Sequence, residues 1–116
     1  MTEDRTMKER LKRLKEIYRS LPDNMQELAF PMIENLTFIE SQMNRLQKQI
    51  EQEGLTEEYQ NGSNQKGMKQ SASMQTYNSL MKNYVSIYSK LEKMLSHVKE
   101  DNKSKLENFK KMIDDE

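Results

Sequence analysis

The sequence contains no cysteine, so neither a disulfide framework nor a thiolate metal site is open to it. Apolar material is scarce: 34% of the 116 residues are hydrophobic and 33% are charged. That ratio is poor for a self-contained globule. Burying one large apolar side chain contributes roughly 1.5–3 kcal/mol, whereas ordering the backbone of each residue costs about 1–2 kcal/mol. A thin apolar stripe on long helices gives a monomer little margin, and association of copies is the simplest way to widen it. No stretch approaches the roughly 18 consecutive apolar residues of a membrane span, and no N-terminal run resembles a signal peptide. A cytoplasmic setting is expected, in which the Asn-x-Ser/Thr matches at Asn35, Asn61 and Asn102 carry no glycosylation meaning.

Catalytic apparatus is also lacking. The one histidine, His97, has Asp101 four residues on, a pair that could orient a general base. An exposed or partly packed histidine near the end of an apolar seam is the simpler reading. There is no glycine-rich phosphate loop, paired-histidine helix or nucleophile elbow. Glu57 and Glu58 could meet a hard cation, but two adjacent carboxylates lack the count and spacing of a dedicated site. No enzymatic activity, cofactor or metal is expected.

Net charge is zero, which argues against a uniformly basic nucleic-acid binder. The distribution is uneven, however. Residues 1–20 carry Arg5, Lys8, Arg10, Lys12, Arg13, Lys15 and Arg19 against four acids, while Asp114, Asp115 and Glu116 end the chain. A neutral total can hide a basic arm.

Periodicity supplies the fold. Thr6 and Glu9 have capping-box spacing, and Leu11, Leu14, Ile17, Tyr18 and Leu21 recur at helical intervals. This predicts a short amphipathic helix within 1–20. Ser20, Pro22 and Asp23 mark a turn and a restart. Met25, Ala29, Met32, Leu36, Ile39, Met43, Leu46 and Ile50 then alternate by three and four, a heptad seam. Pro31 falls outside the seam and is expected to kink the helix or begin a new one. Gly54 is the natural stop.

Residues 54–73 break all periodicity, with Asn61-Gly62 as the strongest turn signal. Ser71 or Ser73 can cap a last helix, whose seam reads Tyr77, Leu80, Tyr84, Ile87, Leu91, Met94 and Val98. Met81, Tyr88 and Leu95 widen that stripe, as packing against more than one helix requires. Leu106, Phe109 and Ile113 form a weaker final segment within 99–116, either a continuation or a separate tail. Of the ten methionines, Met25, Met32, Met43 and Met94 occupy seam positions and read as core. The expectation is an oligomeric all-α protein, with a short N-terminal helix and a long antiparallel helical hairpin over 21–98, in which Leu36, Ile39, Met43, Leu46, Ile50, Tyr77, Tyr84, Ile87 and Leu91 form a seam that serves both the core and the association of copies.

The run from Gly54 through Leu55, Thr56, Glu57, Glu58, Tyr59, Gln60, Asn61, Gly62, Ser63, Asn64, Gln65, Lys66, Gly67, Met68 and Lys69, with Tyr77-Asn78 and Lys82-Asn83-Tyr84, resembles the signature of short terminase small subunits. These come from phages of low-GC Gram-positive bacteria. Leu21 to Asn24 and Pro31 to Leu36 resemble the same group, so the likeness covers most of residues 21–95. The chain departs from the family pattern at Ser63, where a glutamate is usual, and at Ser71-Ala72-Ser73, where Ser-Pro-Ala is usual. The resemblance implies a non-catalytic DNA-packaging component in the cytoplasm of a bacterial host. It would form an oligomeric ring, bind double-stranded viral DNA, and recruit the large ATPase and nuclease subunit.

The residues expected to contact phosphate are Arg5, Lys8, Arg10, Lys12, Arg13, Lys15 and Arg19. Lys66 and Lys69, with Asn61, Asn64 and Gln65, form a second candidate surface, or else cap the loop or meet a neighbouring subunit. A solvated helix face balanced by Glu9 and Glu16 is the bland alternative for the basic helix. Two other functional classes stay open: a helical adaptor or inhibitor, encoded by a phage or mobile element, that binds a host protein, and a coiled-coil spacer.

Overall fold

The computed structural model describes residues 3–60, 62 and 66–114. The first helix, α1, spans Glu3–Ile17 and runs into a single 3-10 turn at Tyr18–Ser20. It begins before Thr6, so the Thr6–Glu9 spacing lies inside the helix and does not mark its start. Leu14, Tyr18 and Leu21 are buried. Leu21 is extended, and its N–H donates to the Tyr18 carbonyl at 3.2 Å. The Gln26 amide reaches back to the Arg19 and Leu21 carbonyls at 3.0 and 2.7 Å. This satisfies acceptors that a tight reversal would otherwise leave bare.

The second helix, α2, spans Asp23–Glu53 and passes through Pro31 without a break. Proline has no N–H to give and crowds the preceding turn. Pro31 lies on the exposed side, where water can reach the freed carbonyl, and the apolar face is undisturbed. Gly54 ends the helix at φ 93°, its N–H donating to the Ile50 carbonyl at 2.7 Å.

The connection over 54–73 corrects the all-α expectation. It holds two antiparallel strands, β1 (Thr56–Gln60) and β2 (Lys66–Gln70), so the protein is mostly helical with a small sheet. Thr56 pairs with Gln70 and Gln60 with Lys66. Gly62 adopts φ 76°, a left-handed conformation that glycine takes without strain. The Ser71 N–H donates to the Leu55 carbonyl at 2.9 Å and ties the ribbon's base.

The last helix, α3, is one element over Ala72–Asp114. Buried Ser71 caps it, its Oγ accepting from the Met74 N–H at 3.1 Å. The weak stretch after Val98 therefore continues the helix. At about 1.5 Å per residue, α2 and α3 are about 46 and 64 Å long, so α3 outruns the paired lengths the seams suggest.

Contacts show that α2 and α3 run antiparallel. Glu53 meets Ser73, Gln47 meets Tyr77, and Glu40 meets Tyr84, so one number falls as the other rises. Leu36, Ile39, Met43 and Leu91 are buried along this seam, whereas Leu46, Ile50, Tyr77, Tyr84 and Ile87 are half-buried. Leu14, Tyr18 and Leu21 join Ala29, Ile33, Leu36 and Leu91 in one core cluster, so α1 lies over the hairpin. Ile33 and Thr37 are buried as well, though outside the seam. They belong to a second face of α2 that α1 covers. Of the residues expected to widen the α3 stripe, Leu95 packs on the core, while Met81 and Tyr88 remain exposed. Every residue of α3 from Lys99 to Asp114 is exposed.

Candidate nucleic-acid interface

The fold divides the seven N-terminal cations into two groups. Arg10 turns inward: its guanidinium donates to both Glu40 carboxylate oxygens at 3.3 and 3.4 Å, and the Tyr84 hydroxyl donates to the same carboxylate at 2.9 Å. One carboxylate thus joins all three helices. Burial opposes the charge on Arg10, but the Glu40 hydrogen bond and charge outweigh it, and the guanidinium is held above its ordinary value. Tyr84 is also pushed up, first by burial and then by its bond to Glu40. Lys15 is likewise engaged, 3.0 Å from Glu34 and 5.5 Å from the centre of the Phe30 ring. Arg5 pairs with Glu9 one turn on, at 3.4 Å.

The remaining four stay available. Lys8, Lys12, Arg13 and Arg19 are exposed, and no carboxylate among the described residues pairs with them. Lys8 and Lys12 lie one turn apart on the same side of α1, and Arg19 follows seven residues later. The apolar residues Leu14 and Tyr18 face the opposite way, into the core. Lys8, Lys12 and Arg13 are therefore mounted on a helix whose underside is fixed by Leu14, Arg10 and Lys15, and Arg19 on the 3-10 turn that follows it.

The second candidate surface also divides. Lys69 and Glu57 face each other across the ribbon, their charged groups 3.7 Å apart. Lys66 is exposed opposite Gln60 and has no such partner among the described residues. Glu58 is exposed, and the Tyr59 ring lies across Gly67, where a Cβ would sit 2.9 Å from the ring. Asn61, Asn64 and Gln65 lie outside the described residues, as does Ser63. The ribbon bears both glutamates on β1 and both lysines on β2.

A groove of about 540 Å³ opens between the start of α1 and the later half of α2, lined among others by Thr6, Arg10, Glu40, Asn44, Lys48 and Glu51. The start of α1 therefore points toward the end of α2 from which the ribbon projects. Among the described residues no three His, Asp or Glu side chains are placed to hold a metal, and no helix is long and apolar enough to cross a membrane. His97 is exposed. The separation of spent from available cations was not visible in the sequence, because Glu34 and Glu40 are distant in the chain and only the α1–α2 packing brings them in.

No protein-family model, curated protein or solved structure matches this chain.

Proposed function

We propose that this chain is a non-catalytic DNA-packaging component, similar to a phage terminase small subunit, whose oligomer holds double-stranded DNA and recruits a large motor subunit. The observation that carries this reading is a set of exposed cations, Lys8, Lys12 and Arg13 on α1 and Arg19 on the turn after it, that pair with no carboxylate among the described residues. Point charges on an exposed helix suit a backbone phosphate array, and they hold DNA without reading its sequence. The ribbon supports assembly. A two-stranded sheet is marginal alone in water, and both of its edges carry unpaired backbone groups, with acids on one strand and lysines on the other.

Solution mass measured with and without a DNA duplex tests the proposal. A closed ring of many copies that retains DNA is the expected result. A monomer or dimer that retains none would remove it.

One observation favours a second reading, an adaptor that binds a host protein. Leu28 and Phe38 on α2, and Leu106 and Met112 on α3, are more than half exposed, and such side chains suit a protein partner better than DNA. Stoichiometric recovery of a single host protein without DNA retention would distinguish it.

A further inference from the structure

Sixteen residues of α3, from Lys99 to Asp114, extend beyond the hairpin and touch nothing that buries them. Continuing the trend that sets Glu40 against Tyr84 brings Asp23, the first residue of α2, opposite about residue 101. All later residues of α3 overhang. Asn102, Leu106, Phe109 and Ile113 are spaced by four, three and four, so they share one side of the overhang. Leu106, Phe109 and Ile113 are 54%, 60% and 53% exposed. Lys99, Lys103, Lys105 and Lys110 border that stripe, while Glu100 and Glu107 fall on the other side of the helix.

A stripe of the same spacing lies uncovered on α2. Leu28, Pro31, Asn35 and Phe38 are separated by three, four and three, and all are exposed. Leu28 and Phe38 are 63% and 54% exposed. The charges that border this stripe are opposite in sign to the lysines that border the stripe of the overhang. From residue 20 to residue 44 the chain has no lysine or arginine, and of its four acids Asp23, Glu27 and Glu34 are exposed while Glu40 turns inward to Arg10 and Tyr84. Glu27 and Glu34 border the stripe, and Glu34 stays exposed while paired with Lys15. At about 1.5 Å per residue, Leu28 to Phe38 spans about 15 Å, and Asn102 to Ile113 about 16 Å.

We infer that the α3 overhang is an arm that docks on the α2 stripe of a second copy of this chain. The arm cannot fold back onto its own α2, because it points away past the start of that helix. Two arms pairing with each other would set lysine rows against lysine rows in either orientation, which is unfavourable. A basic-bordered apolar stripe on an acidic-bordered one satisfies both surfaces. The two patches differ, so arm on stripe can pass head to tail from copy to copy, and where the rotation between copies closes, the contact builds a ring. The inference rests on the homo-oligomeric reading above and names the contact that builds the oligomer.

Because the chain lacks cysteine, single-cysteine variants of the full chain report the contact directly. Leu28→Cys and Phe109→Cys are mixed under mild oxidation and compared with each variant alone. The mixed cross-link is expected to dominate, and either self-linked product as the main species overturns the arm. In parallel, the triple change Lys103→Glu, Lys105→Glu, Lys110→Glu is expected to weaken association at least about tenfold, or about 1.4 kcal/mol, with helix content retained. Mixing it with Asp23→Lys, Glu27→Lys is expected to restore association. A wild-type ring of unchanged mass after the triple change overturns the arm but leaves the packaging proposal standing. A monomeric wild type overturns both.

Discussion

Glu40 is the residue on which the three-helix arrangement turns. Its carboxylate accepts from Arg10 of α1 and Tyr84 of α3 while its own backbone belongs to α2. Glu40→Ala leaves two partly buried donors without an acceptor, and each such loss costs about 1–3 kcal/mol. The Arg10 side chain is 38% exposed and can turn to water, so the expected loss on chemical denaturation lies at the lower end of that range. Tyr84→Phe removes the hydroxyl that donates to Glu40 and leaves the Arg10 bond to that carboxylate in place, with an expected cost of about 0.5–1.5 kcal/mol. The same tyrosine gives a pH signature. Its folded pKa is raised by burial and by Glu40, so above about pH 10 the unfolded chain releases the phenolic proton first. The stabilisation is complete below that pH and is lost as pH rises through the folded value. Alkaline unfolding followed by tyrosinate absorbance should therefore lose part of its slope in Tyr84→Phe. Part remains, because Tyr18 is pushed in the same direction by its own burial.

At the scale of elements, the two devices that break regularity can be tested separately. Pro31 occupies an exposed interior turn of α2, where it withholds one helix hydrogen bond. Pro31→Ala is expected to raise thermal stability by about 1–3 kcal/mol, read as a higher melting temperature with unchanged helix content. Gly67 lies beneath the Tyr59 ring, and Gly67→Ala would put a methyl carbon 2.9 Å from it. The ring must swing away, so faster amide exchange is expected in β1 and β2 with little change in α2 or α3. A uniform change along the chain would show that the ribbon is not an independent unit. The helices were legible because burial follows their three-and-four spacing, as Leu36, Met43 and Leu91 show, and because Gly54 and Ser71 do the chemistry of stop and start. The ribbon was not legible. Its strands are mostly exposed and polar, so backbone pairing leaves no hydrophobic pattern, and Asn61-Gly62 was its only strong sign. The second buried face of α2, at Ile33 and Thr37, was hidden for another reason: a single seam cannot announce that α1 will cover the adjoining row.

For the whole molecule, the division of cations makes the proposed DNA contact quantitative. Each phosphate neutralised by a lysine or arginine releases counterion, and log K falls with log salt at about −0.9 per contact on duplex DNA. If Lys8, Lys12, Arg13 and Arg19 all engage, each contributing subunit adds about −3.6 to the slope. Lys8→Gln with Lys12→Gln should then remove about 1.8 of it per subunit and leave the melting temperature nearly unchanged, because neither side chain pairs with a carboxylate among the described residues. Arg10→Gln should do the reverse. It breaks the Glu40 bridge and lowers the melting temperature, yet it leaves the salt slope of the folded protein close to that of wild type. Titrations of duplex DNA across a range of salt concentrations, paired with melting curves for the same variants, separate these outcomes. A slope that falls equally in both variants would mean that DNA reaches Arg10, and that the bridge between α1 and α2 opens when DNA binds.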